Sequence, residues 1–244
     1  MVERSQLEDY RLANKELSRL VKAEMSDFFG SLNLARPEAA RDALLEFLPL
    51  LTAQYGDVAA SLAVEFYEES RLASGATGAF TALSAPGVPT EAVEAKVRYL
   101  AGNLWTPTPG DMLAGLLLAA DKYVKQPGRN TIAANAKREG ARYARVPTGA
   151  KTCSWCLVLA SRDAVYSSKQ SAGGVKDHGF HGDCDCQAVR ISKKSDYPPG
   201  YLPDDYYAKY QHAREAAGSG DVKEIAAAMR REFPDLVNDG VHAH

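Results

Sequence analysis

The four cysteines of this 244-residue chain all lie in one short stretch, together with one closely spaced histidine. The stretch begins with Cys153-Ser-Trp-Cys156 and ends with His181-Gly-Asp-Cys184-Asp-Cys186. Thiolate and imidazole are preferred ligands of Zn²⁺, and two close pairs of such ligands can close a tetrahedral site around one ion. The spacing therefore predicts a zinc site drawn from Cys153, Cys156, His181, Cys184 and Cys186.

These five candidates compete for the four positions that zinc normally offers. We favour Cys153, Cys156, His181 and Cys184, because Cys-x2-Cys and His-x2-Cys each place two donors on one turn; an all-cysteine site with Cys186 in place of His181 is the close alternative. Four protein ligands leave no open position, so the predicted zinc is structural, and we expect it to hold together a module with few apolar side chains. Two disulfides are a further alternative, which a reducing cytosol disfavours.

No catalytic residue can be assigned from the sequence. The zinc-deaminase pattern, the His-Glu-x-x-His pattern of zincins and the Gly-x-Ser-x-Gly elbow of hydrolases do not occur. A serine–histidine pair could be formed from Ser161, Ser167 or Ser168 with His178 or His181, but nothing in the sequence prefers one combination. We therefore lean against an enzyme.

The formal net charge of −2 hides an uneven distribution of charged residues. Residues 125–194 carry 13 basic and 5 acidic side chains, whereas residues 1–124 carry 11 and 17. Such a basic segment is either a solvated surface or a contact site for nucleic acid or an acidic protein. Our candidate contact residues are Lys137, Arg138, Arg142 and Arg145. We expect a helix over residues 130–145 that places the three arginines on one face.

Helical spacing of apolar residues dominates the rest of the chain. In the first half we expect a helix that ends near Gly30, a helix from Pro37 with a kink or break near residues 49–56, and a loop over residues 74–89. A helix that begins at Thr90 and a helix over residues 111–125, stopped by Pro127-Gly128, should follow. Further along we expect a strand over residues 187–191 and helices over residues 204–217 and 221–233. They predict a mainly α-helical fold with a helical N-terminal region, a small zinc-clamped Cys/His module of α+β type, and short C-terminal helices. We expect three parts: residues 1–128, 129–195 and 196–244.

The apolar pattern gives no reason to expect a membrane protein. The longest apolar run, Met112–Ala120, is too short to cross a bilayer, and the N terminus has no apolar signal core. We therefore expect synthesis in a cytosol, with thiols kept reduced.

The cysteine-containing segments resemble a family of tailed-phage proteins. Residues 145–162, with Cys-x2-Cys, and residues 180–187, with His-x2-Cys-x-Cys, are similar to the MuF-like minor head (head morphogenesis) proteins of phages that infect actinobacteria. All five positions of that hallmark are filled. The likeness is specific over about residues 140–192 and looser in the helical N-terminal half.

The resemblance implies a minor capsid protein that acts in procapsid assembly beside the portal. Its expected partners are the portal protein, the capsid and scaffolding proteins, and phage DNA. Its expected location is the host cytoplasm during assembly and then the interior of the virion head. Because members of this family are also labelled capsid maturation proteases, cleavage of the major capsid or scaffolding protein is the alternative function.

Overall fold

A computed structural model of the protein describes residues 3–149, 151–164, 184 and 186–237. Within these residues the chain forms seven α-helices and one antiparallel pair of strands: α1 (Arg4–Ser31), α2 (Pro37–Ala73), α3 (Thr90–Leu100), α4 (Met112–Glu139), β1 (Arg142–Val146), α5 (Ser154–Ala160), β2 (Gln187–Ile191), α6 (Pro203–Ala217) and α7 (Val222–Glu232). The mainly α-helical fold with a small strand pair beside the cysteines is confirmed. The strand at residues 187–191 and the two C-terminal helices also lie where they were expected.

Helices α1 to α4 pack around one apolar core. Side chains at three- and four-residue intervals point inward, among them Val21 and Met25 of α1, Leu44 and Leu48 of α2, and Leu116 of α4. Burial of each large side chain contributes about 1.5–3 kcal/mol, so this core is the main source of stability for the helical region.

Helix α2 is unbroken, so of the expected kink or break near residues 49–56 the break is wrong. The helix continues because residues on both sides of Pro49 bury their side chains in the same core. The hydroxyl of Thr52 donates to the carbonyl oxygens of Leu48 and Pro49 at 2.9 and 3.2 Å, in the turn that follows the proline. Among the described helices, α2 alone is long and apolar enough to cross a membrane. Core helices of soluble proteins can have the same length and composition.

Helix α4 runs through Pro127-Gly128, so the expected stop at residue 127 is also wrong. This dipeptide is the point where α4 crosses α2. A Cβ atom added to Gly128 would lie 2.8 Å from the carbonyl oxygen of Ala59, and one added to Gly56 would lie 3.1 Å from Cγ of Pro127. The close approach of α2 and α4 explains why small residues lie at this point of both helices. Helix α4 continues to Glu139 and thus spans the expected boundary after residue 128. The three-part division of the chain stays a prediction.

The expected helix over residues 130–145 is wrong in its second half. Gly140 ends α4 with a left-handed backbone (φ 76°), a conformation that glycine adopts at little cost. The chain then enters β1, which pairs with β2 from Arg142 opposite Ile191 to Val146 opposite Gln187. The strand partner lies more than 40 residues further along the chain, so the local sequence pattern did not reveal the pairing.

The strand pair shares a continuous core with the helices. Tyr143 of β1 and Val189 of β2 belong to the same buried cluster as Tyr10, Phe66 and Ile132 of the helical region. The expectation of a module with few apolar side chains is therefore wrong, and the role of zinc in holding it together stays a prediction. At the other end, α7 packs on α5 through a smaller apolar cluster.

Candidate metal centre

The two cysteine pairs are brought together by the strand pair. Cys153 is the N-cap residue of α5, where its Sγ accepts a hydrogen bond from the backbone N–H of Cys156 at 3.2 Å. Cys184 and Cys186 directly precede β2. Because β1 leads towards α5 and β2 pairs with β1, the start of α5 and the start of β2 meet at the same end of the sheet.

The four thiols form one buried cluster. Cys156 Sγ lies 3.0 Å from Cys184 Sγ and 3.2 Å from Cys186 Sγ, and the last two sulfurs are 3.1 Å apart. Cys153 joins the cluster through hydrogen bonding to the thiols of Cys156 and Cys184. All four cysteines are free, since these distances far exceed the ~2.05 Å of a disulfide bond.

The cluster fits a thiolate-preferring metal ion. The sulfurs of Cys156, Cys184 and Cys186 all lie within 4.8 Å of one another. Zinc at about 2.3 Å from each sulfur would separate neighbouring ligands by about 3.8 Å, so the sulfurs need to move apart by only about 0.6–0.8 Å. A metal ion bound there would tie α5 to the start of β2.

One of the five sequence candidates cannot be placed in this site, because His181 lies outside the described residues. Cys186, the expected substitute ligand, lies inside the thiol cluster. The choice between an all-cysteine site and one that includes His181 therefore stays a prediction.

Arg129 of α4 supports the second cysteine pair and was missed by the sequence analysis. Its side chain is buried, at 3% exposure, and its Nη2 donates to the carbonyl oxygens of Cys184 and Cys186 at 2.9 and 3.3 Å. The sequence does show a cation directly after Pro127-Gly128. The expected helix stop at that dipeptide places Arg129 between two helices, where no buried contact is expected.

The thiols differ in their acidity. Hydrogen bonds from the thiols of Cys153, Cys156 and Cys186 hold the pKa of Cys184 well below its usual value, and the charge of Arg129 lowers it further. Burial raises the pKa of Cys186 to about 12. A metal ion that binds the cluster would displace the protons of its thiols.

The four basic contact candidates occupy different environments. Lys137 and Arg138 are exposed near the end of α4, and Arg142 is exposed at the start of β1. Arg145 is 2% exposed, and its charge moderates the raised pKa of Cys186. Because strand residues alternate between faces, Arg142 and Arg145 point in opposite directions, so the expected common arginine face is wrong.

A buried ion cluster connects the helices to β2. The carboxylate of Glu139 accepts hydrogen bonds from Tyr67 at 2.6 Å, from Arg71 Nε at 2.8 Å and from Arg190 Nη2 at 2.9 Å. Burial raises the pKa of Glu139, but the hydrogen bonds from Arg190, Tyr67 and Arg71 lower it by more, so its net pKa is below the usual value. Glu139 is therefore a carboxylate that links α2, α4 and β2.

The described residues contain no serine–histidine pair. Ser161 is buried at the end of α5, where its hydroxyl donates to the carbonyl oxygen of Val158 at 2.7 Å. His212, the one histidine in the described ranges, pairs with Glu232 on the C-terminal helices. The other candidates for such a pair lie outside the described residues: Ser167, Ser168, His178 and His181.

The fold and the thiol cluster define a mainly α-helical protein with a candidate metal centre. A family model of the VG15 protein matches residues 1–213, so the chain belongs to the VG15 family. The Gene 15 protein of Mycobacterium phage D29 is 38% identical over an alignment that covers 37% of this chain and 44% of that relative, so the match spans less than half of its length. No solved structure matches the chain. Together the family and this relative indicate a bacteriophage protein.

Proposed function

We propose that the chain is a phage minor head protein of the MuF-like type that acts in procapsid assembly next to the portal. The family match over residues 1–213, which spans the helical bundle and the thiol cluster, carries the proposal. The MuF-like spacing of the cysteines supports it, because the sulfurs of Cys156, Cys184 and Cys186 lie 3.0–3.2 Å apart and Cys153 is buried at the start of α5. The protein would be present in the host cytoplasm during assembly and then inside the virion head.

The metal in this proposal is a structural zinc ion. Metal analysis of the full-length protein is expected to give one zinc per chain, and Cys156→Ser is expected to lose it, because Cys156 contacts both cysteines of the second pair. His181→Ala and Cys186→Ser distinguish the two candidate fourth ligands. The variant that still binds zinc identifies the residue that is not a ligand. A wild-type protein without bound metal would contradict the zinc site.

The exposed side chains of Lys137, Arg138 and Arg142 are the proposed contact surface for an acidic portal, capsid or scaffolding surface, or for DNA. Arg138 also has a structural role, since it donates to the carbonyl oxygen of Thr81 at 3.2 Å and lies over the ring of Phe80. Lys137 and Arg142 are therefore the better positions for charge reversal.

Co-expression with the portal, major capsid and scaffolding proteins of the phage tests the role in assembly. The wild-type chain is expected to co-purify with the portal, and Lys137→Glu with Arg142→Glu should abolish this. Lys96→Glu with Lys223→Glu, which makes the same total charge change on α3 and α7, is the control. Absence of the chain from purified virions and from portal complexes would refute the assembly role. Cleavage of the capsid or scaffolding protein that depends on this chain would instead establish the maturation protease.

A further inference from the structure

A second site candidate lies between α1 and α4, apart from the contact surface proposed above. It is a half-open cleft of about 290 Å³ that ends on Cys184 and Gln187. Four cationic side chains line it: Arg11, Lys15 and Lys22 from α1, and Lys125 from α4. On α1 these residues are spaced by four and seven positions, which places them along one helix face.

The charge of the cleft is opposite to that of the region around it. Its lining includes one carboxylate, Asp121, which pairs with Lys125 at 2.8 Å, so the four cationic side chains outnumber the anionic ones. Glu8 binds Arg11 from outside the cleft. Residues 1–124 as a whole carry more acidic than basic side chains. A concave, cationic surface within an acidic region concentrates the field on an incoming anion.

The cations of the cleft are distinct from those that face the thiols. Arg129 and Arg145 are buried against the cysteine cluster, where their charges act on Cys184 and Cys186. The two lysines of α1 line the cleft and keep contact with solvent. Lys15 is exposed and Lys22 is half-buried.

We infer that the α1–α4 cleft binds phosphate groups. Several lysine ammonium groups suit a ligand with many acceptor oxygens and more than one negative charge, because each ammonium is a compact point charge with three rotatable donors. The volume lies at the lower end of the range for ligand pockets, which suits one or two phosphate groups better than an acidic protein surface. The phosphates can belong to a DNA backbone or to a small molecule. This inference does not depend on a role beside the portal.

Binding of pyrophosphate and of a labelled single-stranded DNA oligonucleotide to the full-length, zinc-loaded protein separates the two sources. The test variant is Lys15→Glu with Lys22→Glu, and the matched control is Lys96→Glu with Lys223→Glu on α3 and α7. We expect the test variant to bind at least about tenfold more weakly and the control to bind like wild type. For the single-stranded DNA, the magnitude of the slope of log affinity against log salt should fall by about 1.4, since two phosphate contacts of about 0.7 each are removed.

The outcomes decide both the site and the source. Loss of DNA binding in the test variant assigns the cleft to the DNA backbone, whereas pyrophosphate binding alone assigns it to a small phosphate compound. No binding of either probe overturns the inference, as does tighter binding of a glutamate-rich peptide than of pyrophosphate. Loss only in Lys137→Glu with Arg142→Glu also overturns it. If the double reversal does not fold, Lys15→Gln with Lys22→Gln replaces it.

Discussion

Substitution of Glu139 by glutamine tests whether the buried ion cluster joins the helical bundle to the strand pair. Glutamine keeps the size of the side chain but removes the charge that pairs with Arg71 and Arg190, which are 11% and 3% exposed. Removal of one partner from a buried ion pair costs about 3–5 kcal/mol. Because Arg190 keeps Asp196 at 3.6 Å, we expect the lower end of that range. About 3 kcal/mol corresponds to a Tm lower by about 6–12 °C for a chain of this size.

Thermal unfolding followed by circular dichroism measures this effect at pH 7. Glu16→Gln is the matched control, since Glu16 forms an exposed ion pair with Arg19 one turn away on α1. The control should melt with the wild type. If Glu139→Gln also melts within about 1 °C of wild type, the stabilising role of the buried cluster is refuted.

The same variant has a defined pH dependence. The pKa of Glu139 is lowered in the folded protein, so its stabilisation is complete above the unfolded pKa of about 4.3 and is lost as pH falls through the folded value. The stability difference between wild type and Glu139→Gln should therefore be largest near neutral pH and shrink below about pH 4. A difference that grows on acidification would contradict the assigned ionisation.

Three further predictions concern packing and the metal centre. Gly128→Ala should lower the free energy of unfolding by about 1–3 kcal/mol in urea, because the new Cβ would lie 2.8 Å from the backbone oxygen of Ala59. Gly30→Ala meets no atom within 4 Å and should instead stabilise α1 by up to about 1 kcal/mol. Arg129→Gln should weaken zinc binding by about 10–100-fold in a competition titration with a chromogenic chelator, since it removes a cation that orients the second cysteine pair. Treatment with EDTA should lower the Tm but leave the helical circular dichroism signal largely intact, because the strand pair shares its core with the helices. Loss of the helical signal would show that the metal holds the whole fold together.

The sequence alone determined the class of the fold and the identity of the thiol cluster. Apolar side chains at helical spacing predicted most helices, because that spacing reports directly which face is buried. Four cysteines in two close pairs predicted a shared site, because short chelating turns restrict where their sulfurs can go. Both signals are local, so they can be read without knowledge of distant contacts.

The tertiary structure decided the features that depend on residues far apart in the chain. Pro127-Gly128 has the composition of a helix stop, yet it lies inside α4 because α2 crosses there and only small residues fit. Arg145 is a charged residue of a type that is usually exposed, yet pairing of β1 with β2 buries it beside the cysteines. Arg129 and Glu139 acquire their roles from partners more than 50 residues away in the chain. Long-range packing overrides local propensity at these positions, since the free energy of burial exceeds the small intrinsic preferences that a sequence pattern expresses.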